Sequence, residues 1–367
     1  MPNGPVVEVV ADGSPGGGTT AVLGLCADLR QRLSAGVVLI TQQDSYAFHQ
    51  GQSLGLTVYG QDFFRSRFDF GLRMRLASLV RSINPALVHA HGGRAAHALI
   101  GGARSYPLIY TVHGYHFPKK NPFLRPVYRY AEARNVRRTD HIVFVSDSDR
   151  RIAERNGLIS ADTEYTVIRN GVDPSELGGN DDVERGDVIL FLSRMHRQKN
   201  PALAIEMMAH LRDVPVRLMM IGGGDLEGQM KALVERLTLG ASVQLLGALP
   251  RDQALAHLRR ARAMVFPSLW EGLPIAPMEA LYFGVPVVAS DIPGTDEVVT
   301  HGRNGILVGN PTPLAMAAAV RDLLDNPAWW AQLSANGKED AALKFSRQAN
   351  SNAYIALYQR LAGVAAE

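Results

Sequence analysis

FPSLWEGLPIAPMEALYFGVPVVASDIPGTDEVVTHGRNGILV, residues 266–308, carries the architecture of this chain in miniature. An apolar strand at 263–267 runs into a loop, the loop turns into a helix, and a β-branched strand follows at 286–290. Strands that are apolar throughout, separated by a helix, belong in a parallel sheet covered on both faces. The same stretch sets Glu271 and Glu279 on either side of the loop-to-helix turn, with Gly272, Leu273, Pro274 and Ile275 between them. Carboxylates accept paired hydrogen bonds from sugar or ribose hydroxyls, and free amides at a helix start face an anion. The stretch therefore reads as a polyol and phosphate site. A negative charge in the first helical turns is also favourable by itself, so Glu279 alone would signify little.

Outward from this segment, β-branched runs alternate with helical patterns along the whole chain. Strands are expected at 6–10, 36–41, 87–91, 108–112, 141–146 and 165–169, and in a second series at 188–193, 216–221, 243–246, 263–267 and 286–290. Helical stretches at 201–212, 225–237 and 252–261 lie between strands of the second series. Two such series imply two doubly wound domains. The charged, glycine-rich run ELGGNDDVERG at 176–186 interrupts the apolar pattern and marks the expected junction. The expected domains are thus 1–178 and 179–347. Tyr354, Leu357, Tyr358 and Leu361 recur at helical spacing in the remaining segment, 348–367, which predicts a helix packing back across the domains.

Composition narrows the class. With 367 residues the chain exceeds one ordinary core, and 46% apolar with 20% charged residues excludes disordered and collagen-like chains. Cys26 is the only cysteine, so there is no intramolecular disulfide and no cysteine metal cluster, as suits a reducing cytoplasm. The N-terminus lacks the basic start and apolar core of a signal peptide, and no apolar run approaches the roughly 20 residues that span a bilayer. A cytoplasmic protein, soluble or peripheral on the inner face of the membrane, is expected. A net charge of +3 is too small to argue for nucleic acid, and no nucleic-acid partner is expected. Residues 1–178 carry 20 Lys/Arg against 15 Asp/Glu, and residues 179–367 carry 18 against 20, so an anionic partner should meet the first half.

In doubly wound sheets ligands collect beyond the carboxyl ends of the strands. The loops there hold the remaining candidates. Ser14 to Thr20, with Gly17 and Gly18, is a glycine-rich turn whose amides can approach a phosphate; it is neither a Walker A motif nor a dinucleotide fingerprint. Arg194 and Lys199 follow a strand and offer a fork and a point charge to phosphate oxygens, with Arg197 between them. His113 stands between a buried strand and Gly114; His89 and His91 have weaker claims. No histidine pair has a metal-binding spacing. Asp147-Ser148-Asp149 follows a strand and precedes Arg150 and Arg151, which suits helix capping better than a metal. FFRSRFDFGLRMRL, from Phe63 to Leu76, interleaves aromatic and apolar groups with four arginines, as a core helix with a solvated face or as an anionic membrane surface would; Lys119, Lys120 and Arg125 extend its basic character.

Taken together, E-G-x-P-x-x-x-x-E-A, G-x-P-V-V-A-S and G-x-x-E-V-V-x-x-G-x-N-G-x-L-V resemble the retaining glycosyltransferases of family 4, including bacterial capsule, O-antigen and exopolysaccharide members. VIRNGVD at 167–173, FLSRMHRQKN at 191–200, IGGGD at 221–225 and YTVHGYHF at 110–117 extend the likeness over nearly the whole chain. The resemblance implies the GT-B architecture, two Rossmann-like domains facing across a cleft. It implies transfer of a hexose or N-acetylhexosamine, most simply from a UDP-sugar, to a glycan or lipid-linked glycan acceptor in cell-envelope polysaccharide synthesis. Arg194 and Lys199 would hold the donor diphosphate, Glu279 the ribose, and Glu271 would lie near the sugar and its reacting carbon. Gly272, Leu273, Pro274 and Ile275 would offer amides to the sugar and phosphate. Gly17 and Gly18 would face the phosphates, and His113 would contact the donor sugar or reacting centre. No cofactor or essential metal is implied. Two other readings stand beside this one: a GT-B enzyme of other chemistry, such as an inverting transferase or a sugar-nucleotide epimerase, and a nucleotide-sugar binding protein without turnover.

Overall fold

The computed structural model describes residues 4–65, 70–101, 104–115, 117, 121, 123–178 and 183–366. Residues 66–69 of the arginine-rich stretch, Lys119, Lys120, residue 116 and residues 179–182 of the expected junction lie outside the described residues.

The first sheet comprises β1 (Val6–Val10), β2 (Val37–Gln42), β3 (Thr57–Gln61), β4 (Leu87–His91), β5 (Leu108–Val112), β6 (His141–Phe144) and β7 (Tyr165–Val167). Its order is β3-β2-β1-β4-β5-β6-β7, and every pairing is parallel. The second sheet comprises β8 (Val188–Leu192), β9 (Arg217–Ile221), β10 (Val243–Gly247), β11 (Ala263–Phe266), β12 (Val287–Ser290) and β13 (Gly305–Val308). It runs β10-β9-β8-β11-β12-β13, again wholly parallel. These are the two doubly wound, Rossmann-like sheets that the alternating pattern predicts.

Two strands escape the sequence pattern. β3, TVYGQ, is paired on one side only and is half-exposed, so nothing forces it to be apolar. β13 is four residues of an edge strand, too short to show a period. The central strands β1, β4 and β5 are buried along their whole length, so they are largely apolar on both faces, and Glu8, His89 and His91 are buried exceptions.

Contacts divide the chain into one unit of Met1–Asn170 with Arg347–Glu367 and another of Gly171–Ser346. The helix Arg347–Ala362 therefore belongs to the first unit, where it packs along the helix Gly17–Arg32. Arg347 pairs with Asp28 at 3.1 Å, Ser351 donates to the same carboxylate, and Arg32 reaches Asn352 at 2.7 Å. Tyr354, Leu357 and Tyr358 are buried against Val6, Val10 and Ile109. The helical stripe in the sequence is thus the lid of the first sheet's core.

In each sheet the winding reverses beside its first strand, between β1 and β4 and between β8 and β11. Loops leaving such neighbours diverge to opposite faces and open a crevice at the carboxyl edge. The loops after β8 and β11 carry the candidate residues of the second unit.

Candidate active site

In the second unit, β8 ends at Leu192, and Arg194 stands exposed on the loop that follows. Glycines hold this loop in place. A side chain on Gly222 (φ 138°) would meet the Ser193 carbonyl at 2.1 Å, and one on Gly224 (φ 156°) would meet that of Met195 at 2.4 Å. Only glycine admits that approach, so IGGGD after β9 serves to seat the loop after β8. Met195 N–H donates to the Gly223 carbonyl at 2.9 Å across the same contact.

The loop then tightens into a short 3₁₀ turn, Arg197–Lys199, capped by His196. From its end Lys199 Nζ reaches Glu271 Oε1 at 2.5 Å, from the loop after β11. Leu269 N–H donates to the Gln198 carbonyl at 2.8 Å, and Gln198 Nε2 donates to that of Trp270 at 2.9 Å. Two backbone-anchored loops thus present one ion pair, with the Glu271 side chain only 7% exposed and Lys199 16%. The ammonium also lies 5.0 Å from the Phe266 ring centroid. Glu271 is neither helical nor solvated. It is held at the point where the winding reverses.

Glu279 lies in the helix Ile275–Tyr282, which starts after Pro274 with no side-chain cap. Gly272, Leu273, Pro274 and Ile275 are all buried. Gly294 (φ 87°) backs them, since a side chain there would meet the Gly272 carbonyl at 2.0 Å. Glu279 itself is buried, and Arg251 approaches its Oε1 to 2.7 Å. The contact is an ion pair, and among the described residues Oε1 has no directed hydrogen-bond partner. Burial raises the Glu279 carboxyl; the Arg251 charge opposes that shift and Glu176 adds to it. A buried carboxylate oxygen beside a guanidinium is well placed to accept from a hydroxyl. Arg251 was missed in the sequence, where it is one arginine among many at a helix start.

In the first unit, Gly17 and Gly18 are the first two residues of the helix Gly17–Arg32, and no side chain caps it. A side chain on Gly18 would meet nothing among the described residues, so their packing does not demand glycine there. Thr19 ties the turn together by donating to the Ser14 carbonyl at 2.7 Å.

His113 follows β5 directly. Its Nε2 lies 3.0 Å from His91 Nδ1, and His91 Nε2 lies 2.7 Å from Glu8 Oε2. His89 Nδ1 is 3.1 Å from the same Glu8 oxygen, and its Nε2 is 2.6 Å from the Thr111 hydroxyl. The Tyr358 hydroxyl donates to Glu8 Oε1 at 2.7 Å. Glu8, a lone acid inside VVEVV, was not singled out in the sequence, although one carboxylate in a fully apolar strand is itself a signal. Burial alone would raise its carboxyl, but the His89 and His91 rings outweigh that and leave it well below the usual range. Burial, with the charge of His89, pulls His91 down to about 4, although Glu8 opposes. Burial, with His91 and His89, takes His113 well below its ordinary value.

A pH dependence follows. Unfolded, His91 and His113 take protons near 6.5; folded, His91 does so only near 4 and His113 only well below its ordinary value. Between those values the unfolded chain binds more protons, so stability falls as pH drops from 6.5 towards 4. His141, pulled down to about 4 by burial and Arg360, adds to the slope. Each histidine contributes up to about 1.4 kcal/mol per pH unit. Thermal midpoints should therefore fall steeply below pH 6.5, and a flat profile from pH 7 to 5 would contradict the network.

Ser146, rather than either aspartate, caps the helix Asp147–Arg155 by accepting from Asp149 N–H. Asp149 is buried and accepts from Tyr115 N–H at 2.9 Å, while Asp147 pairs with Arg150 and Arg169. Both carboxylates are thus taken up by helix-start and loop contacts.

Residues 15–176 match the family model described as Glycosyltransferase Family 4, and residues 179–340 match that of Glycosyl transferases group 1. The chain is 29% identical to the glycogen synthase of Mycobacterium tuberculosis over 304 residues, 79% of this chain and 72% of that protein. It is 27% identical to an Escherichia coli enzyme named UDP-Gal:alpha-D-GlcNAc-diphosphoundecaprenol alpha-1,3-galactosyltransferase, over 64% of this chain and 65% of the relative. In fold it is similar to Anabaena HepE solved in complex with UDP-glucose, with a TM-score of 0.82 at 18% identity over 98% of this chain and 100% of that one.

Proposed function

Since this chain belongs to glycosyltransferase family 4, with the GT-B fold, we propose that it is a retaining enzyme moving a hexose or N-acetylhexosamine from a UDP-sugar to a glycan or lipid-linked glycan acceptor in cell-envelope polysaccharide synthesis. The observation that carries the reading is the part-buried Lys199–Glu271 pair where the second sheet's winding reverses, with the buried Glu279 on the helix that follows. Lys199 and Arg194 stabilise charge on the departing diphosphate, Glu279 accepts from the ribose, and Glu271 orients Lys199 and stands by the sugar. Gly17 and Gly18 offer amides to phosphate, and His113 contacts the sugar. The bond from the anomeric carbon to the diphosphate breaks as the acceptor oxygen bonds on the same face, and a phosphate oxygen takes the acceptor's proton. Two side-chain cations supply the positive charge, so activity should survive a chelator.

UDP is favoured because the Escherichia coli relative is named for UDP-Gal and the Anabaena neighbour was solved with UDP-glucose. A screen of sugar nucleotides by thermal shift tests the donor site, because a ligand of the folded state raises the melting midpoint with its affinity. At least one UDP-sugar should raise it by several degrees; silence from every UDP-, GDP- and ADP-sugar would sink the assignment. Proton NMR of the product distinguishes the chemistry, since an inverted anomer removes the retaining mechanism and the absence of turnover leaves a binding protein.

Peripheral membrane contact is the last part of the proposal. Phe64, Met74, Phe123, Leu124, Val127 and Tyr130 are exposed on the first unit, with Arg125 and Arg129 exposed among the last four. Apolar tips among arginines suit an anionic lipid surface. No helix among the described residues is long and apolar enough to cross a membrane. The chain should co-sediment with vesicles containing anionic lipid and not with neutral ones; equal recovery in both supernatants would refute the contact.

A further inference from the structure

Glu8, His91 and His113 form a diagonal ladder on one face of the first sheet. Glu8 lies opposite His89 in the β1–β4 register, and His91 lies opposite Thr111 in the β4–β5 register. Each rung therefore moves one strand across and two residues towards the carboxyl edge, and steps of two keep the side chains on one face. The ladder starts in the core, where Glu8 and His91 are buried, and ends on the loop after β5.

Hydrogen-bond chemistry gives the ladder a direction. An ionised carboxylate only accepts, so the 2.7 Å contact to Glu8 places the His91 proton on Nε2. In the neutral ring Nδ1 is then a bare acceptor. The 3.0 Å contact between His91 Nδ1 and His113 Nε2 is a hydrogen bond only if His113 carries its proton on Nε2. His113 Nδ1 is left as a lone pair, and that atom is shut from solvent without a hydrogen-bond partner among the described residues. A buried acceptor left unpaired costs about 1–3 kcal/mol, so a donor from outside the chain gains by meeting it.

We propose that Glu8 and His91 are positioning residues that fix the His113 proton on Nε2, so that Nδ1 accepts a hydrogen bond from a hydroxyl of the donor sugar. The inference rests on the reading of His113 as a donor-sugar contact. The opposite tautomer would present an N–H, which carbonyl, phosphate and hydroxyl oxygens can all accept; the lone pair that the ladder leaves takes only a donor such as a sugar hydroxyl.

Long-range ¹H–¹⁵N NMR of the full chain labelled at histidine, at pH 7, reads the tautomers directly. His91 and His113 should both appear as Nε2–H forms. In His91→Phe the His113 ring loses its acceptor and should become a tautomer mixture. In His91→Gln the amide N–H can face Glu8 while its carbonyl accepts from His113, so the native tautomer should persist. Calorimetry with UDP and UDP-glucose reads the consequence: His91→Phe should weaken UDP-glucose about tenfold and leave UDP unchanged, and His91→Gln should bind both as the native chain does. An Nδ1–H or doubly protonated His113 in the native chain overturns the proposal. So does an equal loss of UDP and UDP-glucose in His91→Phe, the mark of a merely structural role, or a native chain that binds UDP-glucose no more tightly than UDP. Glu8, His89 and His91 bring ligand-type atoms within 4.8 Å of one another, so elemental analysis finding one zinc per chain would also overturn it. If no sugar nucleotide binds at all, the functional reading fails, while the native spectra still judge the tautomer alone.

Discussion

Lys199→Ala should lower transfer by about 10²–10³-fold, the usual effect of removing one group that stabilises developing charge. Two losses combine. The departing diphosphate loses a positive charge, and Glu271, with a side chain 7% exposed, loses the ammonium 2.5 Å away. A carboxylate left buried without its partner costs about 3 kcal/mol, so the variant should also melt several degrees earlier. Lys199→Arg keeps the charge but not its shape, and should recover stability better than activity. Steady-state transfer and a melting curve check both halves. Transfer within fivefold of the native rate would remove Lys199 from the proposed mechanism.

Glu271→Gln should lower the turnover rate by about a hundredfold while leaving UDP affinity within about threefold. Glu279→Ala should do the reverse and weaken UDP itself by tenfold or more. The asymmetry follows from placement. Glu271 sits in the loop after β11, engaged with Lys199, whereas Glu279 lies buried in the following helix beside Arg251. Because Lys199 and Glu271 act as a unit, the double variant should lose far less than the product of the single effects. Calorimetry with UDP separates the two glutamates: equal weakening by both variants would refute the division of labour, and unimpaired transfer by Glu271→Gln would refute its role in the chemistry.

Much of the fold was legible before any coordinates. Runs such as VILFL and AMVF are apolar because central parallel strands are covered on both sides, and their alternation with helical patterns announces two wound sheets. What escaped is instructive. The half-exposed edge strand β3 need not be apolar, and β13 is too short to show a period. In the candidate site, Arg194, Lys199, Glu271 and His113 were legible as separate residues on loops that follow strands. Arg251 and Glu8 were not, because their meaning lies in what they touch.

The sequence by itself determined most of the strands, their alternation with helices, and which loops leave the carboxyl ends of those strands. Those are local properties, set by side-chain periodicity and backbone preference over a few residues. Only the tertiary structure decided that Lys199 meets Glu271, 72 positions away, because β8 and β11 are neighbours in space and not in sequence. The same holds for the path from Glu8 through His91 to His113, which needs the order β1-β4-β5 and a particular register. Strand order and register are settled by how the whole set of apolar faces packs, and no local pattern encodes them. The charges and protons of the candidate site depend on that packing, since burial and neighbours set them.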